Sequence, residues 1–293
     1  MHRAAHSYKD LGVWKGDSYF PTGCIYGFIL LTLKVWKTYG SPQSRLVVCW
    51  DAGYDHRIKL YPEYKANRRV AREEGEPSMI PFQKGALERI LETSGWAQAI
   101  SMGYEADDVM ATLAKQESGT VAIYTGDQDL HQTVTDSTHV ISSNKGKDII
   151  WDLERVMEKW GVTPNRIPEV KGLAGDGGDN IPGCPGCGMG WAKKLLNRYE
   201  TLEQMIEVAS LRNLSGFYEG KAWKSPSLTQ KVKDNAALIR ISRDLAQIVD
   251  CPINITTGTP DQDLLVKFFS ELEFASLLKE PNLARIGEIS TAW

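Results

Sequence analysis

Two short apolar runs in this sequence each lead directly to aspartate residues, and this feature constrains the fold most strongly. Leu46–Trp50 stops at Asp51, and Val121–Tyr124 is followed by Asp127 and Asp129. Runs of this length that are rich in β-branched residues are typical of buried strands. Because helical patterns separate them, they predict an α/β fold with a mostly parallel sheet. Ligands bind at the carboxyl ends of such strands, so the three aspartates are expected at one site.

Helical spacing of apolar residues accounts for much of the remaining chain. It is found in Cys24–Trp36, in Pro81–Gly95 and in the segment that follows Glu105. Two further short strands are predicted on either side of the turn Lys145–Lys147. Beyond residue 155 the pattern is helical with interspersed glycines, and residues 251–293 predict a strand and a closing helix.

The composition is that of an ordinary globular protein. The chain has 293 residues, of which 42% are hydrophobic and 24% charged, so one or two domains are expected. The net charge of −3 does not exclude nucleic acid as a partner, because bound cations would offset the acidic residues. Neither a secretory signal nor a membrane span is evident, and five scattered cysteines suit a reducing compartment. We therefore expect a cytoplasmic protein that does not bind membranes.

Seven carboxylates fall in three tight groups, each beside glycines or the end of an apolar run. The groups are Glu105, Asp107 and Asp108, then Asp127 and Asp129, then Asp176 and Asp179. Gathering so many anions in one cleft raises their pKa values and costs stability unless cations neutralise them. Hard divalent ions such as Mg²⁺ and Mn²⁺ prefer oxygen ligands. The set therefore indicates two-metal chemistry on phosphate esters, whereas one pair alone would be a solvated turn.

Basic and aromatic side chains are mixed in the segment from about residue 53 to residue 81. They are Arg57, Lys59, Lys65, Arg68, Arg69 and Arg72, with Tyr54, Tyr61 and Tyr64 between them. A basic run is often only a solvated helix face, so spacing alone leaves its role open. A glycine-rich stretch, Gly183–Gly188, precedes a further helical pattern, and the backbone amides of such a connection can approach phosphate closely.

Together these motifs resemble the 5′-nuclease family, which includes bacteriophage 5′–3′ exonucleases, flap endonucleases and the 5′-nuclease domain of bacterial DNA polymerase I. The resemblance is carried, in the family's order and spacing, by Gly103-Tyr-Glu-Ala-Asp-Asp-Val109, Thr125-Gly-Asp-Gln-Asp-Leu130 and Leu173-Ala-Gly-Asp-Gly-Gly-Asp-Asn-Ile-Pro-Gly183. Tyr26-Gly-Phe28, Asp51-Ala52 and Tyr61-Pro-Glu-Tyr-Lys-Ala-Asn-Arg68 also match, so the resemblance runs from His2 to about residue 250.

The resemblance implies a PIN-like α/β core with a mostly parallel central sheet flanked by helices. It also implies a helical arch and a C-terminal helix–three-turn–helix subdomain. The core would take residues 1–155, with the arch at about 53–81. The helical subdomain would take residues 156–250, with the helix–three-turn–helix at about 165–197, and residues 251–293 would add a strand and a helix.

The resemblance also implies roles for individual residues. A first metal ion would be served mainly by Asp51, Glu105, Asp107 and Asp108, and a second mainly by Asp127, Asp129, Asp176 and Asp179. Lys65 and Arg68 would be catalytic, gripping the scissile phosphate and offsetting charge on its oxygens. DNA contacts are expected from Tyr61, Tyr64, Arg69, Gly183, Gly186, Gly188, Lys193 and Lys194, with the tyrosines stacking on unpaired bases. Carbonyls of the glycine-rich connection would hold a potassium ion.

The activity implied is that of a 5′–3′ exonuclease and flap endonuclease that uses two Mg²⁺ or Mn²⁺ ions. Its partners would be DNA with 5′ ends, flaps or nicks and a replicative polymerase, and it would act as a phage-encoded monomer in replication or repair. Two alternatives stay open. One is a protein that binds branched DNA without cutting it, and the other is a metal-dependent ribonuclease, against which the Gly183–Gly188 connection argues.

The sequence departs from the family pattern at two places. The family opens with an apolar strand that ends in Asp-Gly shortly before the equivalent of Arg3, and this sequence begins at Met1. That strand and a ninth carboxylate are therefore expected upstream of Met1, unless the chain is a shortened form with a damaged first metal site. The intact later motifs favour the upstream start. In addition, Gly190 stands where the family usually has a lysine, and Lys193 and Lys194 follow one turn later.

Overall fold

The chain folds as two compact units, and residues 7–74, 80–210 and 226–291 are described in this computed structural model. The first unit comprises Met1–Trp50, Gly75–Ser101 and Ile253–Trp293, and the second comprises Asp51–Glu74 and Met102–Pro252. None of the helices in the described ranges is long and apolar enough to cross a membrane.

Strands and helices are mixed up to residue 151, and the described elements between residues 153 and 246 are helices. The strands are β1 (Gly12–Lys15), β2 (Ser18–Pro21), β3 (Val47–Trp50), β4 (Ala97–Ile100), β5 (Val121–Tyr124), β6 (Thr138–Asn144), β7 (Lys147–Trp151) and β8 (Asn254–Thr257). The helices are α1 (Gly23–Tyr39), α2 (Asp55–Leu60), α3 (Ala66–Glu74), α4 (Ile80–Thr93), α5 (Ala106–Gln116), α6 (Leu153–Trp160), α7 (Ile167–Ala174), α8 (Met189–Leu196), α9 (Leu202–Ser210), α10 (Pro226–Asp234), α11 (Ala236–Ala246), α12 (Gln262–Glu271) and α13 (Glu280–Thr291).

The first unit is built on the sheet β3-β4-β8. Strand β3 pairs parallel with β4, and β4 pairs antiparallel with β8. Apolar residues that recur at helical spacing on α1 and α4, among them Ile29, Leu33, Leu87 and Leu91, are buried in one cluster with Phe269 of α12. The predicted core helix within Cys24–Trp36 and the predicted strand within Leu46–Trp50 are confirmed by α1 and β3.

The second unit contains the sheet β5-β6-β7 and most of the helices that follow it. Strand β5 pairs parallel with β6, and β6 turns antiparallel into β7 at Lys145 (φ 48°) and Gly146 (φ 81°). A two-residue turn with positive φ at both positions can join only antiparallel neighbours. Each three-stranded sheet in the described ranges therefore combines one parallel and one antiparallel pairing, and the predicted mostly parallel sheet is wrong in this respect.

Helices α7 and α8 are joined by a connection, residues 175–188, in which the backbone approaches itself closely. Gly183 has a φ of 65°, and a Cβ on it would lie 2.3 Å from the amide nitrogen of Gly175. The amide of Cys184 donates to the carbonyl of Leu173 at 2.8 Å, which pins the connection to α7. The thiols of Cys184 and Cys187 are buried in the hydrophobic cluster beneath it, which agrees with a packing role.

Two glycines of this connection provide a matched test of that geometry. Gly183→Ala is expected to lower the free energy of unfolding by about 2 kcal/mol or more, because a left-handed φ costs an L-residue about 1–2 kcal/mol and the new Cβ would also clash with backbone. Gly188→Ala is the control, since Gly188 has a φ of −73° and open space where the new methyl group would lie. Urea unfolding of both variants measures the difference, and equal stabilities would contradict the assigned backbone geometry.

Candidate metal centre

The predicted carboxylates lie at the ends of elements of the second unit. Asp51 opens the unit, and its Oδ1 accepts a hydrogen bond of 2.9 Å from the amide of Ala106 at the start of α5. Glu105 and Asp107 lie in or beside the first turn of the same helix. Asp127 follows β5, and its Oδ1 accepts from the amide of Asp129 at 2.9 Å. Asp176 and Asp179 lie in the connection after α7.

Asp107 is the point on which these groups converge. Burial and the negative charges of Asp127, Glu105, Asp51 and Asp129 raise the pKa of Asp107 well above its ordinary value. Such a shift signals carboxylates that lack enough positive charge around them. Three segments that are remote in sequence thus bring carboxylates near one another, and hard divalent cations prefer oxygen atoms of this kind.

A second cluster brings Asp129 and Asp176 together around a lysine. The ammonium group of Lys171, on α7, donates to Oδ1 of Asp129 and, at 2.8 Å, to Oδ2 of Asp176. Burial raises the pKa of Asp129 to about 6 against the opposing charge of Lys171, and the charges of Asp127 and Asp176 add to the rise. Burial alone would raise the pKa of Asp176, but the hydrogen bond and charge of Lys171, together with hydrogen bonds from the amides of Gly178 and Asp179, lower it.

Lys65 and Arg68, the two predicted catalytic cations, meet the third carboxylate group. Lys65 Nζ donates to Oε1 of Glu105 and lies 3.6 Å from Oδ2 of Asp179, and the Arg68 guanidinium donates to Oδ1 of Asp179. Lys65 has a φ of 53°, and its amide donates to the carbonyl of Asp179 at 2.9 Å. A non-glycine residue in the left-handed region persists only where its surroundings fix it, and such residues cluster at functional sites.

Asp108 is held differently from the other predicted ligands. Its side chain is 0% exposed, and both of its oxygens accept hydrogen bonds from Arg57, at 2.7 and 2.9 Å. Arg57 also donates to Oε2 of Glu105 and to the carbonyls of Leu245 and Gln247. Burial alone would raise the pKa of Asp108, but the hydrogen bonds from Arg57 lower it. Both oxygens of Asp108 are therefore paired with Arg57 in this structure, and its predicted role as a metal ligand stays a prediction.

Three predicted DNA contacts are also placed differently. The Tyr64 side chain is buried at 3% exposure, and its hydroxyl donates to Oε2 of Glu105 at 2.9 Å. The prediction that it stacks on a base is therefore wrong, because no face of its ring is open. Arg69 donates to the carbonyls of Tyr64 and Pro62 and so stabilises its own segment. Tyr61 is half-buried and packs against the cluster that contains Tyr64.

The basic residues of α8 divide into two kinds. The ammonium group of Lys193 donates to the carbonyl of Lys159 and lies 6.0 Å from the centroid of the Trp160 ring. Lys194 is exposed, and its ammonium lies 5.4 Å from the centroid of the Trp191 ring. Lys194 is thus the more exposed of the two lysines that follow Gly190, the position where the family usually has a lysine.

Arginine or lysine bridges three pairs of these carboxylates: Arg57 joins Glu105 and Asp108, Lys65 joins Glu105 and Asp179, and Lys171 joins Asp129 and Asp176. Within residues 7–74, 80–210 and 226–291, no three aspartate, glutamate, histidine or cysteine side chains are arranged to enclose a metal ion. Sequence reasoning identified the acidic groups but missed Arg57 as the partner of Asp108 and Lys171 as the partner of Asp129. The available signal for Lys171 was a lysine among the mostly apolar residues of the helix Ile167–Ala174, in which Glu169 is the other charged residue.

Comparison with known proteins matches nearly the whole chain to one family. The family model described as the N-terminal resolvase-like domain of 5′-3′ exonuclease matches residues 1–161, and its C-terminal SAM fold matches residues 162–263. The chain is 34% identical to the 5′-3′ exonuclease of Aquifex aeolicus over 285 residues, covering 96% of this chain and 91% of that protein.

Two further likenesses place the match in context. The chain is 31% identical to DNA polymerase I of Bacillus subtilis over 299 residues, covering 98% of this chain but only 31% of the polymerase, so it spans about a third of that relative. A solved complex of the bacteriophage T5 flap endonuclease with DNA and metal ions has a TM-score of 0.64 at 18% identity and covers 92% of this chain and 90% of that one. The structural likeness shows a shared fold.

Proposed function

The chain belongs to the 5′-3′ exonuclease family, and we propose that it hydrolyses DNA phosphodiester bonds at 5′ ends, flaps and nicks by a two-metal mechanism. The observation that carries the proposal is the convergence of Asp51, Glu105, Asp127 and Asp129 on Asp107, which raises the pKa of that carboxyl. Carboxylates gathered without matching positive charge are a preparation for bound cations. The DNA and metal ions in the T5 flap endonuclease complex support the same substrate and cofactor class here.

We assign a first Mg²⁺ or Mn²⁺ ion to Asp51, Glu105 and Asp107, and a second to Asp127, Asp129, Asp176 and Asp179. Bound ions of this kind lower the pKa of a water molecule and stabilise a leaving oxygen. Neighbouring side chains orient the carboxylates that would bind these ions. Tyr64 and Arg57 both donate to Oε2 of Glu105 and so fix its carboxylate. Asp108 holds Arg57 in place and acts as a positioning residue.

Lys65 and Arg68 are assigned to the scissile phosphate. Both cations lie at Asp179, beside the connection that carries the third carboxylate group. A phosphate that approaches these carboxylates would meet the two positive side chains first, and they would offset the charge that builds on its oxygens. Asn67 and Arg68 donate to the carbonyls of Gly177 and Gly178, which ties this basic segment to the connection.

Duplex DNA is assigned to the connection before α8. The backbone of Gly183–Gly188 and the exposed Lys194 would contact phosphates without reading base sequence, which gives structure preference without sequence preference. We propose a potassium ion on carbonyls of this connection and an arch at about residues 53–81, of which residues 75–79 lie outside the described residues. A polymerase partner is proposed because the chain matches about a third of a DNA polymerase I, where 31% of that protein is covered.

The proposal is tested with labelled 5′-flap and nicked duplexes in Mg²⁺ and in a chelator. Metal-dependent release of short 5′ products is expected, and its absence under all metal conditions would overturn the proposal in favour of a protein that binds branched DNA without cutting it. Rates on matched RNA and DNA flaps separate the nuclease from a ribonuclease, which would cut the RNA flap faster.

Lys65→Met is expected to lower kcat on the flap by roughly 10²-fold or more, because it removes a cation at the developing charge. Affinity for the flap should change much less, since many other phosphate contacts remain. Lys115→Met is the control, as Lys115 is exposed and pairs with Asp250. Equal kcat values for the Lys65 and Lys115 variants would remove Lys65 from the catalytic set.

A further inference from the structure

Lys171 occupies the space between two carboxylates that the proposed function assigns to a metal ion. Its Nζ donates to Asp129 and Asp176, and its side chain is 8% exposed. The neighbouring residues Val170 and Leu173 on α7 are fully buried. The ammonium is therefore held inside the protein by the two acids and is not a solvated surface charge.

The two acids reach this point from different parts of the unit. Asp129 begins the turn after β5, whereas Asp176 follows α7, which also carries Lys171. Lys171 is the cation that joins them. Its ammonium opposes the rise that burial causes in the pKa of Asp129, and it helps to lower the pKa of Asp176 against burial. A divalent ion would seek the same oxygens, at about 2.0–2.1 Å for Mg²⁺. Two cations that share these oxygens would repel each other strongly in a partly desolvated site.

We propose that Lys171 is a resident cation that competes with the divalent ion for Asp129 and Asp176, so that its release sets the metal affinity of this pair. The inference rests on the proposed function in one respect, namely that these carboxylates bind the ion used in hydrolysis. In the metal-free protein Lys171 neutralises the pair and holds the two segments together. Metal binding then requires its ammonium to leave the two acids.

The main experiment measures Mn²⁺ binding to the full chain without DNA, from the electron paramagnetic resonance signal of free Mn²⁺. Lys171→Met removes the charge but keeps an unbranched side chain, and it is expected to tighten the weaker Mn²⁺ Kd by about tenfold or more. Lys171→Arg keeps the charge and should leave that Kd unchanged or weaken it. Lys159→Met is the matched control, because the ammonium of Lys159 lies over an aromatic ring, 4.7 Å from the centroid of Trp151. The Mn²⁺ Kd of this control variant should stay at the wild-type value.

An unchanged or higher Mn²⁺ Kd for Lys171→Met would overturn the proposal. The lysine would then have no effect on Mn²⁺ binding or would favour it. If the Lys171→Met variant does not fold, acetylation footprinting of the wild-type protein tests the same proposal. Lys171 should react with an acetylating reagent several-fold faster in saturating Mn²⁺ than in chelator, measured against Lys159 in the same digest. A rate that is equal or slower in Mn²⁺ would also overturn it.

The outcomes separate this inference from the proposed function. Cleavage of DNA flaps by the wild-type chain together with an unaltered Mn²⁺ Kd in Lys171→Met would leave the nuclease assignment standing and remove the competition. Tighter Mn²⁺ binding in Lys171→Met, together with no cleavage of any flap or nicked substrate by the wild-type chain, would support the competition and remove the nuclease assignment.

Discussion

Replacing Asp107 by asparagine is expected to abolish nuclease activity and, at the same time, to stabilise the metal-free protein. Asp107 has a pKa well above its ordinary value because of burial and the charges of four neighbouring carboxylates. A carboxyl group whose pKa is raised by folding binds more protons in the folded state, so the free energy of unfolding falls as pH rises above its unfolded pKa. At pH 8, which lies far above the unfolded pKa, the raised pKa of Asp107 therefore lowers the free energy of unfolding, and Asn removes that cost.

The two effects have different sizes. Losing a ligand that contributes several kcal/mol of transition-state stabilisation corresponds to a drop of about 10³-fold in kcat. The stability gain is smaller, and each kcal/mol gained raises Tm by about 2–4 °C in a protein of this size. Asp136→Asn is the control, because Asp136 is exposed.

The measurement is a pair of thermal melts in chelator, at pH 8 and near pH 5, with flap cleavage assayed in Mg²⁺. The Asn variant should melt above the wild type at pH 8, and the gap should narrow at the lower pH, where protonation of Asp107 in the wild type relieves the same repulsion. If Asp107→Asn has a lower Tm than the wild type at pH 8, the negative charges around Asp107 must already be balanced by groups of the protein in the absence of metal. Retained cleavage would remove Asp107 from the metal site.

Local sequence patterns predicted many of the helices and strands, because these depend on residues that are close in sequence. The strand Val121–Tyr124, the helix after Glu105 and the hairpin around Lys145 follow from periodicity and turn residues. The meeting of carboxylates followed from a general rule on strand ends. Which cation faces which carboxylate could not be predicted in this way, because that depends on packing between segments that are far apart.

Two residues illustrate the limit. Asp108 belongs to the same motif as Asp107, yet Asp107 lies near Asp127 and Asp51 whereas Asp108 pairs with Arg57 beside Glu105. Successive positions on a helix point about 100° apart, so the two side chains meet different neighbours. Tyr64 belongs to a basic and aromatic segment that reads as exposed, but its hydroxyl finds Glu105, which is 41 positions away. A hydrogen bond to a charged acceptor is stronger than one to a neutral acceptor, and it offsets the cost of burying the Tyr64 hydroxyl.

Arg57→Met is expected to cause the largest loss of stability. It leaves Asp108 as a fully buried charge without a counter-charge, and breaking such an ion pair costs about 3–5 kcal/mol. Asp108→Asn alone should cost less, since Asn keeps an acceptor for the amide of Val249, which now donates to Oδ1 of Asp108 at 3.1 Å. Urea unfolding in chelator measures both variants.

The double variant Arg57→Met/Asp108→Asn decides what Asp108 does. If Asp108 is an ion-pair partner, the double variant should recover about 2 kcal/mol relative to the sum of the single changes, because the unpaired charge is gone. Its flap cleavage should then remain within about 100-fold of wild type, the range expected when a supporting residue and not a ligand is lost. If Asp108 instead binds the metal, every variant that carries Asn at this position would lose activity as completely as Asp107→Asn, however stable it is. Stability and activity would then separate in the double variant, and only a metal ligand predicts that separation.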